Sequence, residues 1–169
     1  MSSGNDKGFS IASSPADYAV ARQLFEEYAE RLGVDLCFQG FAKELEDLQE
    51  KYGPPAGCIL LARDGGEAVG CIALRRVSDE TCEMKRLYVR SSARGTGLGR
   101  RLAIALIDFA GQLGYRRMIL DTLATMTEAH RLYASLGFTD TAAYYPNPLP
   151  GVRYMALDLL QSVLPESSI

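Results

Sequence analysis

The chain has 169 residues, 47% of them hydrophobic and 23% charged, with a formal net charge of −3. That length is enough for one domain with a sizeable core, and the mild acidity argues against a general nucleic-acid binder, which is usually basic. No apolar run approaches the roughly 20 residues that span a bilayer, and residues 1–11 lack the apolar stretch of a secretory leader, so a cytoplasmic protein with no membrane partner is expected.

Residues 9–33 read as a short strand and then a helix. Ser14 is a candidate N-cap, Pro15 suits the first helical position and Asp17 stands where a capping-box acid belongs. Ala21, Leu24, Phe25, Tyr28 and Leu32 recur at helical spacing, and Gly33 ends the run. A second, highly charged helix is predicted over residues 40–52, where YGPPAG breaks it. Three strand-like runs follow, CILLARD, EAVGCIALRRV and TCEMKRLYV, the first two meeting at the hairpin signal Gly65-Gly66. Beyond a glycine-rich turn, Leu98, Leu102, Leu106, Phe109 and Leu113 line one face of a helix. RRMILDT predicts a buried strand, and MTEAHRLYASLGF a helix with Met126, Ala129, Leu132, Tyr133 and Leu136 in phase. The loop YYPNPLPG and the strand VRYMALDL close the chain.

Hairpins in the first half and β-α-β crossovers in the second imply an α/β (α+β) domain. Its sheet is mixed, largely antiparallel and six- to seven-stranded, with helices on both faces. The expected domain is residues 8–162, with a disordered N-terminus at 1–7 and a flexible C-terminus at 163–169. Cys37, Cys58, Cys71 and Cys82 form no C-x-x-C pair, and His130 is the only histidine, so buried thiols and no metal are expected. His130 itself reads as a solvated helix residue.

The densest chemistry is around Gly95, Gly97 and Gly99, flanked by Lys85, Arg86, Arg90, Arg94, Arg100 and Arg101. Glycines between a strand and a helix let backbone N–H groups approach a ligand, and the helix start adds a positive dipole end. Such a turn suits phosphate. A purely structural turn leaves the arginines unexplained. A dinucleotide fingerprint is the main rival, with Asp121 as the ribose-binding acid, but Arg100 occupies its third glycine position. A P-loop is excluded because no G-K-[ST] follows.

RGTGLGR, residues 94–100, resembles the [QR]-x-x-G-x-[GA] signature of the GNAT superfamily of acyl-CoA-dependent N-acyltransferases, with Arg94, Gly97 and Gly99 at its fixed positions. EMKRLYV resembles the strand before that signature, AHRLYASLGF the superfamily's second motif, and YYPNPLPG a loop of small bacterial acetyltransferases. The likeness extends over residues 9–160. It implies a GNAT fold and acetyl-CoA as co-substrate. The pyrophosphate would lie on the backbone of Arg94, Gly95, Thr96, Gly97, Leu98, Gly99 and Arg100, with Arg90 and Arg101 as supporting charge. Pantetheine would run beside Leu87, Tyr88 and Val89, in a gap opposite the strand that ends at Thr122.

By the same resemblance Tyr133 would protonate the departing thiolate; the alternative is a core tyrosine. Glu83 would be either the base for the attacking amine or an ion-pair partner of Lys85. Strict alternation puts Glu83, Lys85, Leu87 and Val89 on one strand face and Cys82 on the other. Met126 stands where many members carry a cofactor-touching asparagine. Phe38, Gln39, Tyr144, Tyr145 and Asn147 would line an acceptor pocket, or simply pack their loops. Lys85 or Arg86 could bind a carboxylate, which suggests a small, amino-acid-like amine. A homodimer through the final strand is compatible with this reading, and the functional alternative is an acyl-CoA-binding sensor without turnover.

Overall fold

The computed structural model describes residues 8–33, 36 and 40–162; the predicted flexible ends and the candidate acceptor residues Phe38 and Gln39 lie outside the described residues. Strand β1 (Ser10–Ile11) leads into helix α1 (Pro15–Leu32), whose start is a capping box. The Asp17 N–H donates to Ser14 Oγ at 3.1 Å, and the Ser14 N–H donates back to the Asp17 carboxylate at 3.2 Å. Gly33 closes the helix with φ +65°.

The single helix predicted over 40–52 is instead two short ones, α2 (Phe41–Glu46) and α3 (Leu48–Tyr52). Asp47 divides them because its carboxylate caps α3, accepting the Glu50 N–H at 3.0 Å. The hairpin is formed by β2 (Cys58–Asp64) and β3 (Glu67–Arg76), with Gly65 and Gly66 at φ +59° and +86° in the turn. Then come β4 (Thr81–Val89), α4 (Leu98–Gln112), β5 (Arg117–Thr122), α5 (Thr127–Ser135), β6 (Thr139–Asp140), β7 (Arg153–Asp158) and α6 (Leu159–Ser162).

The sheet has seven strands in the order β1-β2-β3-β4-β5-β7-β6, and only β4 and β5 run parallel. Each face carries its own core. On one, Ile72, Leu74, Cys82 and Met84 meet Leu102 and Leu106 of α4 and Tyr133 of α5. On the other, Ile59, Leu61 and Cys71 meet Leu24 and Phe25 of α1 and Tyr52 of α3. Burying each large apolar side chain of this kind stabilises the fold by about 1.5–3 kcal/mol. Cys58, Cys71 and Cys82 are buried free thiols, and burial pushes Cys82 up to about 12.

Two irregularities of β4 position the site. Its parallel pairing with β5 spans only Thr81 to Glu83, although β5 runs on to Thr122 against β7. The two strands therefore splay beyond Glu83. Then Ala73 pairs with Lys85 and Cys71 with Tyr88, so Arg86 and Leu87 together oppose Ile72 alone. Arg86 absorbs this bulge with φ +61°. The extra residue breaks the alternation read from the sequence. Met84, Leu87 and Val89 pack on the α4 side, while Glu83 and Lys85 point to the α1 side together with Tyr88. Cys82 does lie opposite Glu83, as expected.

Candidate active site

The glycine turn follows a short 3-10 turn, Ser91–Ala93, and the N-cap of α4 is Gly97, with no side chain capping it. Gly95 and Gly97 sit at φ +76° and +78°, where a side chain is strained, and a Cβ on either would meet nothing within 4 Å. The turn therefore presents open backbone. The first backbone bond closing α4 runs from the Arg101 N–H to Gly97 O at 3.1 Å, which leaves the preceding N–H groups facing outward. Leu98 anchors the turn in the core, and the Thr96 hydroxyl donates to Ala93 O at 2.5 Å.

The basic residues do not act as one patch. Arg94 Nε donates to Val89 O at 3.0 Å, and Arg100 reaches Ser135 Oγ on α5 at 2.7 Å. Arg90, expected as supporting charge for the turn, instead grips Glu27 of α1 at 2.9 and 2.6 Å and Ala68 O at 2.7 Å. It ties helix to sheet.

From the turn a groove of about 690 Å³ runs between Leu87, Tyr88 and Val89 on one side and Thr125 to Ala129 with Leu132 on the other. Met126, read as an apolar replacement for a polar cofactor contact, forms part of its wall. Where the strands splay, the groove adjoins a small cavity of about 30 Å³; Tyr28, Leu32, Leu87 and Met126 line both. The cavity walls also carry Lys85, Arg86, Asp121, Thr122 and Tyr133. The Thr122 hydroxyl is buried without a hydrogen-bond partner among the described residues.

Tyr133 is buried and packs edge-on against Phe138 with ring centres 5.7 Å apart, so the apolar helix face seen in the sequence does enter the core. Its hydroxyl nevertheless has no protein partner among the described residues. Burial pushes the phenol well above its ordinary value, which keeps it protonated at neutral pH. One turn earlier, His130 is half-buried rather than solvated, its Nε2 lying 2.9 Å from Leu123 O.

The charged groups around the cavity are mostly matched. Glu44 of α2 receives Arg86 Nε and Nη2 and Lys51 Nζ, each at 3.0 Å. Burial opposes the ionised Glu44 carboxyl, but Arg86 and Lys51 prevail and hold it down at about 2. Arg86 also stacks over the rings of Tyr28 and Phe41. Glu83 accepts from Arg75 Nε and from the Tyr144 hydroxyl, both at 2.7 Å. Burial would raise its pKa, yet Lys85, Tyr144 and Arg75 together leave it below the ordinary carboxylate value. The partner in its ion pair is Arg75 rather than Lys85.

Lys85 itself has no hydrogen bond or ion pair among the described residues. Burial and then the neighbouring Arg86 push it down to about 8, against the pull of Glu83 and Asp121. Asp121 accepts a hydrogen bond from the Tyr145 hydroxyl, and Asn147 Nδ2 donates to the same hydroxyl at 3.0 Å. The predicted acceptor residues Tyr144, Tyr145 and Asn147 are thus brought to the splay, where Tyr144 and Tyr145 each meet the Tyr154 ring edge-on. Tyr28 and Asp121 were not legible as site residues: Tyr28 read as helix core, and Asp121 only as a ribose-binding acid. The signal available for Asp121 was its place beside Thr122 at the end of β5.

A model described as the acetyltransferase (GNAT) family matches residues 21–138. The chain belongs to the GNAT acetyltransferase family. The dinucleotide reading of the turn is thereby overturned. This GNAT chain is 46% identical over 147 residues to an uncharacterised N-acetyltransferase of Schizosaccharomyces pombe, covering 86% of this chain and 90% of that protein. It is 34% identical over 119 residues to the N-acetylaspartate synthetase of Danio rerio, covering 69% of this chain but only 42% of that protein. In fold it resembles an acetyltransferase of Streptococcus agalactiae with TM-score 0.73 and 21% identity, over 89% of this chain and 97% of the other. A GNAT family acetyltransferase of Elizabethkingia anophelis, solved with acetyl-CoA bound, aligns with TM-score 0.58 and 19% identity over 89% and 97% of the two chains. Among the described residues no helix is long and apolar enough to cross a membrane.

Proposed function

We propose that the protein transfers the acetyl group of acetyl-CoA to the primary amine of a small molecule by direct attack in a ternary complex. The observation that carries this reading is the splay of β4 from β5, with an open glycine turn on the groove and Tyr133 in the wall of the cavity that adjoins it. The residues present fit acetyl-CoA. Outward N–H groups from Gly95 to Arg100 suit its pyrophosphate. The unpaired edge of β4 at Leu87 to Val89 suits an amide-rich arm, and the orphaned Thr122 hydroxyl awaits a polar partner. The acetyl-CoA bound by the Elizabethkingia protein supports the same assignment.

In the transfer the neutral amine nitrogen bonds to the thioester carbon and the C–S bond breaks; the proton shed by nitrogen passes to water, from which the Tyr133 phenolate regains the one it gives to sulfur. Tyr133 donates its phenolic proton to the departing sulfur. Holding amine and thioester side by side removes much of the entropic barrier, so no covalent enzyme intermediate is required. Both carboxylate oxygens of Glu83 are engaged, by Arg75 and Tyr144, and its proton affinity is lowered. We read it as a positioning residue for the Tyr144 loop rather than the base. The name of the Danio rerio relative, N-acetylaspartate synthetase, supports a small amine as acceptor.

The alternative of a non-catalytic acyl-CoA sensor is separated by Tyr133→Phe. Equal acetyl-CoA affinity with strongly reduced CoA release supports catalysis; a wild-type protein that binds acetyl-CoA and acetylates none of a broad amine panel supports the sensor.

A further inference from the structure

We propose that the acceptor carries a carboxylate close to its amine, and that Lys85 binds the carboxylate while Asp121 receives the ammonium. The inference rests on the acetyltransferase reading above and names the substrate class of the same cavity.

Of the two cations lining the cavity among the described residues, Lys85 is the unmatched one. Arg86 and Lys51 meet at Glu44, Arg75 meets Glu83, and Arg90 meets Glu27. Lys85 lines the cavity with no hydrogen-bond or ion-pair partner among the described residues. Asp121 lines the opposite, β5 wall. Its Oδ2 accepts from Tyr145, and its Oδ1 takes no donor among the described residues. The two opposite charges do not pair with each other across the gap. Burying a charge without a partner is costly, and such groups in a cleft mark functional sites. A ligand bearing both a cation and an anion would satisfy both walls at once.

The bulge at Arg86 is what makes this arrangement possible. It leaves Lys85 on the α1 side of β4 while Leu87 and Val89 stay on the α4 side, along the groove. Acceptor and cofactor thus meet different faces of the same strand. A cavity of about 30 Å³ takes a charged head group rather than a whole substrate. Among the described residues the groups around Lys85 are Glu83 and Arg86 on its own strand, Asp121 on β5, Lys51 on α3, Tyr28 on α1 and Tyr133 on α5, with Glu44 bonded to Arg86 and Lys51 and Tyr144 bonded to Glu83. Burial and Arg86 bring the Lys85 ammonium down to about 8. A bound carboxylate favours the protonated form, so binding of such an acceptor should weaken as pH rises above about 8.

The test is a CoA-release assay on L-α-amino acids, each paired with its α-carboxamide. The acid of a pair should be preferred in kcat/KM by about 10- to 100-fold. Lys85→Met should shrink that preference at least about tenfold, Lys85→Arg should restore part of it, and Asp121→Asn should raise KM for the acid, with melting curves reporting the fold of each variant. Equal turnover of acid and amide, or a preference that survives Lys85→Met, overturns the anchor and leaves acetyl transfer standing. If no amine releases CoA, calorimetric titration of the same pairs into protein holding CoA decides. Binding of acids but not amides upholds the anchor while acetyl transfer falls; binding of neither overturns both.

Discussion

Glu44 accepts both Arg86 Nε and Arg86 Nη2 at 3.0 Å, joining helix α2 to the bulged residue of β4. Both side chains are almost wholly inaccessible, at 2% and 0%. Removing Glu44 takes two charge-assisted hydrogen bonds from buried Arg86 and one from Lys51, so Glu44→Ala should lose about 3–5 kcal/mol in denaturant unfolding. The double variant Glu44→Leu/Arg86→Met should recover much of that loss; equal damage in single and double variants would show that the pair is not the cause.

Acid stability depends on the same carboxyl. Its folded pKa of about 2 lies below the ordinary 4.5, so its contribution is fully present above pH 4.5 and fades as pH falls from 4.5 towards 2. A titration of unfolding free energy should show this slope in the wild type and a shallower one in Glu44→Gln.

Lys85 gives a slope of the same sign at the other end of the pH scale. Its folded pKa of about 8 lies below the ordinary 10.5, so between those values the unfolded chain holds a proton that the native protein has shed. Stability therefore rises with pH across that window. Lys85→Met should abolish the rise and lift the melting midpoint at neutral pH by about 2–4 °C for each kcal/mol relieved.

Tyr133→Phe should leave acetyl-CoA affinity within about twofold and lower CoA release by about 10²- to 10⁴-fold, the range of a lost general acid. Calorimetry and a thiol-release assay measure the two quantities separately. Unchanged turnover would remove Tyr133 from the chemistry.

Gly97→Glu should abolish measurable acetyl-CoA binding. It places a carboxylate where the pyrophosphate is proposed, and it strains a φ of +78°. Retained affinity by calorimetry would show that the turn holds no phosphate.

Glu83→Gln separates positioning from base catalysis. The positioning role predicts a raised KM, a kcat reduced only a few-fold, and an unaltered acid limb in the pH–rate profile. Loss of that limb together with a kcat reduced 100-fold or more, within the general range for a lost base, would make Glu83 the base.

The elements were legible because their signals are local. Ser14 and Asp17 mark a helix start, Gly65-Gly66 a hairpin, and Leu98, Leu102 and Leu106 a buried face. The glycine turn could be read for the same reason, since the conformational freedom of Gly95 and Gly97 is written in the residues themselves. The faces of β4 were not legible. Alternation assumes a regular strand, and nothing in KRLYV announces that Arg86 turns left-handed. The charge assignments failed similarly. Arg90 and Arg86 are claimed by Glu27 and Glu44, which stand 63 and 42 residues away in the chain. Asp47 split a helix that its charged pattern made continuous, because capping outweighed periodicity.

Tyr144 and Tyr145, adjacent in the chain, give their hydroxyls to carboxylates on two different strands, Glu83 of β4 and Asp121 of β5. Those strands have just parted there, so the loop works as a stitch across an open seam. Anything that spreads the seam pulls on both hydroxyls, and anything that reorganises the loop changes how far the seam can open. The loop and the gap are therefore mechanically one part. A ligand whose entry into the gap shifts the loop is, by the reciprocity of linked binding, affected to the same degree by whatever holds the loop.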